Sequence, residues 1–303
     1  MSSDRRRPNE SLAPRVRKWQ AAGRIEDFRG HGIHVFTRPG SDPPVLLLHG
    51  FPSSSFDWRL LLEQEPERAV LALDFLGFGL SDKPRDHVYS LKWQADLVEE
   101  MVSRHLAGSS PFLVAHDMGT SVATEIFARD IEGTLGFQLC GALLFNGSIV
   151  LARASLTRSQ KLLRGPLGPV AARLTNRPLF RREFGAIFSS AHPLTDAEAA
   201  DQWALLCHNG GRTLGHRLIH YLDERERYAD RWHGAVRDWP GPLSFAWGTE
   251  DPVATTSVLD ALVELRPRAP VRRLPGIGHY PQIEDPPALA DAISAATDHG
   301  GER

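Results

Sequence analysis

Four short apolar runs, each halted by a turn, constrain this chain more than any other feature: Val45-Leu46-Leu47-Leu48, Ala69 to Leu73, Pro111 to Ala115 and Gly141 to Phe145. Runs of this length without polar alternation fit strands buried on both faces, as in a parallel sheet covered by helices. Helical periodicity lies between the later ones. Leu91, Ala95, Leu97, Val98, Met101 and Val102 place an apolar stripe on a helix from about Ser90 to Leu106. Strands alternating with helices imply βαβ units with right-handed crossovers, hence the α/β class. Upstream, Arg24 to Thr37 alternates as an antiparallel hairpin with Gly30-His31-Gly32 at its turn. Downstream, Pro242 to Trp247 and Val271 to Leu274 read as further strands, with a helix between them near Thr255 to Glu264.

Residues 150–238 break this pattern. They carry no strand runs and are interrupted at Gly165-Pro166, Gly168-Pro169, Arg177-Pro178, His192-Pro193 and Asn209-Gly210-Gly211. That predicts several short helices inserted between two strands of the sheet, a helical lid. The expected organisation is a flexible basic tail (1–20), a first core segment (21–149), the lid (150–238) and a second core segment (239–303). A chain of 303 residues accommodates one such core with its insertion.

Composition removes several function classes. Hydrophobic residues at 42% and charged residues at 24% are ordinary globular values, and a net charge of −2 offers no basic face for nucleic acid or an anionic membrane. The basic start (Arg5, Arg6, Arg7, Arg15, Arg17, Lys18) is followed by no apolar stretch, so neither a signal peptide nor a membrane anchor is expected. Cys140 and Cys207 lack paired spacing, which argues against a metal site or disulfide framework and sets a cytoplasmic location as the expectation. The loop from Asp74 to Asp82 has two glycines of a GxGxxG motif but Asp82 in place of the third. With no Walker A or HExxH pattern either, no cofactor is expected.

Chemistry concentrates at strand ends. The apolar run ending at Ala115 leads into His116-Asp117-Met118-Gly119 and then a helical run from Thr120 to Arg129, the strand–turn–helix context of a nucleophile elbow. Asp117 occupies the central position, where it could equally cap the helix. There is no GxSxG to supply a competing serine. His49-Gly50-Phe51-Pro52 follows the first strand, and the Phe51 amide with the Met118 amide would form a two-donor oxyanion hole. Gly276 to Pro281 presents His279 in a loop, and Gly248-Thr249-Glu250-Asp251-Pro252 offers Asp251, with Glu250 as its competitor, to orient that histidine. The chain order nucleophile, acid, base is thus Asp117, Asp251, His279.

These motifs together resemble the α/β-hydrolase superfamily. Within it, the resemblance is to the epoxide hydrolase and haloalkane dehalogenase branch, through His49-Gly50-Phe51-Pro52 with Trp58, Asp74-x-x-Gly77-x-Gly79-x-Ser81-Asp82, His116-Asp117-x-Gly119, Gly248-x-x-Asp251 and Gly278-His279. Asp74-Phe75-Leu76-Gly77-Phe78-Gly79, Ser81-Asp82-Lys83-Pro84 and His279 to Pro286 are similar to the mesoderm-specific transcript group and its bacterial relatives. The resemblance implies a mostly parallel eight-stranded sheet flanked by helices and a cofactor-free hydrolase. In that chemistry Asp117 attacks an sp³ carbon to form an ester, and His279, oriented by Asp251, activates water to hydrolyse it.

The branch also implies a small apolar electrophile and water as partners, and lid groups that serve the leaving atom. Met118 stands where dehalogenases place tryptophan, and Phe51 where many use asparagine, which favours epoxide over carbon–halogen chemistry. Tyr221 and Tyr228, seven residues apart on one helix face, are the candidate proton donors, or else aromatic anchors of the lid. His49, Trp58, His116, Asn146 and Trp203 are candidate pocket residues, with His208, Asn209 and Trp232 as further lid candidates. Asn146 sits where some relatives carry the acid and could assist Asp251. A non-catalytic ligand receptor or scaffold on the same fold is the alternative from another class.

Overall fold

A computed structural model describes residues 12–300. Its strands are β1 (Arg24–Phe28), β2 (His31–Arg38), β3 (Ser41–Leu48), β4 (Arg68–Leu73), β5 (Phe112–His116), β6 (Gly141–Phe145), β7 (Leu243–Gly248) and β8 (Val271–Leu274). They form one eight-stranded sheet in the order β1-β2-β4-β3-β5-β6-β7-β8. Pairing is antiparallel from β1 to β2 and from β2 to β4, and parallel everywhere else.

The sheet is buried on both faces, and that explains the unbroken apolar runs. Along β3, Leu46 and Leu48 enter one core while Val45 and Leu47 enter the other; along β5, Leu113 and Ala115 oppose Phe112 and Val114. Successive side chains of a strand point to opposite faces, so a strand covered twice has no position for a polar residue. The helices α1 (Pro14–Ala22) and α2 (Arg59–Gln64) cover one face, supplying Val16, Trp19, Leu61 and Leu62. On the other face lie α3 (Leu91–His105) and α4 (Met118–Ile131), both rich in buried aliphatics.

Between β6 and β7 run α5 (Arg158–Arg164), α6 (Gly168–Leu174), α7 (Arg177–Gly185), α8 (Asp196–Cys207), α9 (Gly215–Leu218), α10 (Tyr221–Arg227) and α11 (Ala229–Asp238). Proline at the start of α6 and α7 costs no hydrogen bond, because the first N–H groups of a helix have no partner within it. This helical insertion is stitched to the core. Trp232 of α11 donates to Glu125 of α4 at 2.9 Å, and Arg231 bonds the same carboxylate at 2.8 Å. The chain then closes with α12 (Thr256–Leu265), α13 (Pro281–Glu284) and α14 (Pro286–Gly300), whose Leu289 and Ile293 join α1 and α2 in the second core.

Two local expectations are corrected. The hairpin turn is Arg29-Gly30, since Phe28 pairs with His31; both turn residues have positive φ (53° and 82°), the type I′ pattern whose twist matches the flanking strands. The expected basic tail spans residues 1–20, of which 1–11 lie outside the described residues, but from Pro14 the chain is helical. Trp19 is buried against Phe36, and Arg15 bridges Asp201 of α8 at 2.6 Å. Among the described residues no helix is long and apolar enough to cross a membrane.

Candidate active site

β5 ends at His116, and α4 begins at Met118, so Asp117 is the whole of the turn between them. Its backbone adopts φ 43° and ψ −109°, a conformation L residues rarely take. Tight packing enforces it: a Cβ on Gly119 would lie 2.5 Å from the Leu48 carbonyl oxygen, and one on Gly50 would lie 2.7 Å from Asp117 Cβ. The strained turn aims the Asp117 side chain away from its own helix, to which it makes no capping hydrogen bond. Asp117 is therefore not a helix cap, and the alternative left open by its sequence position is removed.

The two oxygens of the Asp117 carboxylate have different surroundings. Oδ2 accepts the Phe51 amide N–H at 3.0 Å, while Oδ1 lies 3.6 Å from Nη2 of Arg225. Met118, whose amide leads α4, is buried beside it, and the first amides of a helix have no intrahelical acceptor. Asp117 and His279 are each only 3% exposed.

His279 stands in the loop between β8 and α13, its amide bonded to the Ile187 carbonyl at 2.9 Å. Nδ1 donates to Asp251 Oδ2 at 2.6 Å. Asp251 is saturated: Oδ1 accepts the amides of Val253 (2.7 Å) and Ala254 (3.0 Å), and Oδ2 also accepts Asn146 Nδ2 at 2.8 Å. Burial disfavours the charged imidazole, but the Asp251 charge and hydrogen bond outweigh it, with Asp117 adding to them, so the His279 pKa is raised above its ordinary value. Glu250 is exposed and does not compete.

Several pocket expectations are corrected by what these side chains touch. His116 faces the underside of the loop that carries His279: Nε2 donates to the His279 carbonyl at 2.8 Å and Nδ1 accepts Gln282 Nε2 at 3.1 Å. His49 is likewise committed to the frame, accepting the Phe75 amide at Nε2 (3.0 Å) and donating to the Gly50 carbonyl from Nδ1 (2.8 Å). Asn146 holds the acid, accepting the Gly248 amide at 2.9 Å as well as donating to Asp251. Trp58 packs against Phe145 in the core on the far side of the sheet from Met118 and Phe51. Trp203 packs against Phe180 in a separate apolar cluster, and Trp232 is a core anchor on Glu125. His208 is half-buried, and desolvation together with the nearby Lys83 charge holds its pKa down at about 4, while Asn209 is exposed.

The two tyrosines part company. Tyr221 is buried, its ring 5.7 Å from that of Phe51, and burial reinforced by the Asp117 charge raises its pKa well above the ordinary phenol value. Tyr228 falls just past the end of α10 with φ −110°, so the shared helix face does not exist; its ring contacts Trp232, Lys92 and Arg227 instead of the site. It is an anchor.

The residue that sequence inspection missed is Arg225. Although it lies in the run Asp223-Glu224-Arg225-Glu226-Arg227, where every side chain carries charge, it is 1% exposed. Its Nε donates to Ser121 Oγ at 2.7 Å, its Nη2 to the Asp117 carbonyl at 2.9 Å, and its guanidinium lies 4.6 Å over the Tyr221 ring. The spacing of Arg225 four residues after Tyr221 places both on one helix face, and that was the available signal. Glu284 was also missed: it accepts the amides of Gly278 (2.8 Å), Tyr280 (3.0 Å) and Ser189 (2.9 Å), fixing the loop around His279.

Comparison with known proteins agrees with this architecture. Residues 45–292 match the model of the family described as "Alpha/beta hydrolase family". The chain is 58% identical over 280 residues to LipZ of Mycobacterium tuberculosis (strain CDC 1551 / Oshkosh), a protein named as a hydrolase, covering 92% of this chain and 97% of that one. It is 36% identical over 299 residues to the mesoderm-specific transcript protein of Mus musculus, covering 94% and 88%. Among solved structures, the haloalkane dehalogenase DbeA of Bradyrhizobium elkani USDA94 superposes with a TM-score of 0.75 at 22% identity, over 91% of this chain and 99% of that one, a likeness of fold.

Proposed function

We propose, from the premise that this chain belongs to the alpha/beta hydrolase family, that it hydrolyses epoxides through a covalent ester on Asp117. The observation that carries the reading is the unequal setting of the two Asp117 oxygens. Oδ2, on the Phe51 amide, is the oxygen that becomes the ester carbonyl; Oδ1, turned toward Arg225, is the one free to attack carbon. A serine at this position would instead need a base to remove its proton; a carboxylate is already a nucleophile.

In the first step Oδ1 attacks an epoxide carbon, the C–O bond breaks, and its electron pair goes to the departing oxygen, which takes the phenolic proton of Tyr221. A raised phenol pKa keeps that proton in place at neutral pH. In the second step neutral His279 removes a proton from water, and the hydroxide adds to the Asp117 carbonyl carbon. The Phe51 and Met118 amides stabilise the oxyanion, the usual role of such a hole. Collapse releases the diol, and the proton held on His279 is returned to Tyr221. The helical insertion acts as the lid that excludes water from this site.

A His279→Gln variant isolates the first step. Incubated with a small epoxide, it accumulates a species heavier by the whole epoxide mass, mapped by peptide mass spectrometry to Asp117. Carbon–halogen hydrolysis is the second reading, favoured by the Arg225 guanidinium, whose Nη2 lies beside Oδ1 and whose Nη1 has no hydrogen-bond partner among the described residues; it yields an alkyl adduct with halide released to solution. A receptor gives neither adduct and binds its ligand equally well as Asp117→Asn.

A further inference from the structure

Arg225 presents an unfinished set of donors in the buried surroundings of Asp117. Of its five N–H groups, one on Nε goes to Ser121 and one on Nη2 to the Asp117 carbonyl. Among the described residues Nη1 is wholly buried and without a hydrogen-bond partner, with the Tyr221 phenol lying against the guanidinium. Buried guanidinium nitrogens are ordinarily satisfied, and an exception beside the candidate nucleophile points to a missing acceptor. The partner set is also electrically open, because the neighbouring anion is the Asp117 carboxylate, 3.6 Å from Nη2.

That charge does not persist through the reaction. Once Asp117 is esterified it is neutral, and Arg225 keeps its cation, buried, with the Ser121 hydroxyl, the Tyr221 phenol and a carbonyl as its polar contacts among the described residues. A buried charge without a counter-charge is among the costliest states a protein interior can hold. A neutral substrate supplies no replacement after its leaving oxygen is protonated. A substrate carrying its own carboxylate does, and a carboxylate also matches the paired N–H geometry of a guanidinium edge.

We infer that Arg225 is a substrate-binding residue, and that the natural substrates are electrophiles bearing a carboxylate close to the reactive carbon, with that carboxylate seated on Nη1. The inference rests on Asp117 as nucleophile and adds the charge of the substrate to it. The free site is then balanced by Asp117 and the covalent intermediate by the substrate's own carboxylate.

The test compares glycidate, an epoxide carboxylate, with glycidamide, its neutral near-isostere, in rates of Asp117 labelling on the His279→Gln background. With Arg225 present, glycidate labels at least tenfold faster at matched ionic strength. Adding Arg225→Gln abolishes the preference through loss of the glycidate rate, and Arg225→Lys, which keeps the charge and guards against a folding failure of the first variant, retains part of it. Equal labelling by both epoxides with Arg225 present, or a preference unchanged in Arg225→Gln and Arg225→Lys, overturns the inference while leaving the nucleophile reading intact. The converse is read separately with propionate, which is unreactive. Stabilisation of the parent chain by propionate, but not by propionamide or by chloride, and its loss in Arg225→Gln, supports the carboxylate seat even where no epoxide labels Asp117. Propionate stabilising parent and variant alike counts against it.

Discussion

At the residue scale, Asp117→Asn preserves shape and removes the charge proposed to attack, so turnover falls by about 10⁴-fold or more, and it leaves buried Arg225 without its counter-charge, so the melting temperature falls as well. Single-turnover kinetics beside a melting curve checks both. In the proposed mechanism His279 acts as a base only when neutral, and its pKa is raised because Asp251 outweighs desolvation. Hydrolysis of the ester therefore rises with pH through an apparent pKa above the ordinary histidine value. In Asp251→Asn that midpoint moves down, while the rate drops by about 10²- to 10⁴-fold as the ring loses its orienting partner; a pH profile of single-turnover hydrolysis measures the shift. Asp117, Asp251 and His279 were legible in sequence because each follows an apolar strand and sits between turn residues. Arg225 was not, since burial of one charge among five adjacent charges depends on how α10 is docked.

At the scale of elements, α8 is fastened to the core through Asp57. Its Oδ1 accepts Gln202 Nε2 at 2.7 Å, its Oδ2 is buried without a partner among the described residues, and burial pushes its pKa up to about 7. The folded state thus binds this proton more tightly than the unfolded chain, so stability falls as pH rises from about 4 to 7, by at most roughly 4 kcal/mol at 1.4 kcal/mol per pH unit. Melting temperatures between pH 5 and 8 are expected to decline for the parent chain and to flatten for Asp57→Asn. The sequence displayed strands and long helices through their periodicity, but not α1, whose start looked like a charged tail until Val16 and Trp19 found a sheet face to cover. It also could not show α10 stopping before Tyr228, because no proline or glycine marks that break.

At the scale of the whole molecule, insertion and core share one interior: Leu218, Tyr221, Leu222 and Trp232 pack in the same cluster as Leu46, Leu113 and Met118. Unfolding is accordingly expected as a single calorimetric transition, and a chain with residues 150–238 replaced by a short linker is expected to lose its cooperative melt. Two resolved transitions would contradict this. The parallel sheet was readable from the strand runs, whereas strand order needs the crossovers that only the folded chain reveals. The elbow has a consequence for descent. Asp117 is gripped through its main chain by Phe145, Thr120 and Arg225, and through its side chain by one hydrogen bond, from the Phe51 amide. Lineages can therefore exchange the reactive group here by a single codon without rebuilding the turn. Ancestry is then recorded in the surrounding socket, and trade in the one side chain it holds.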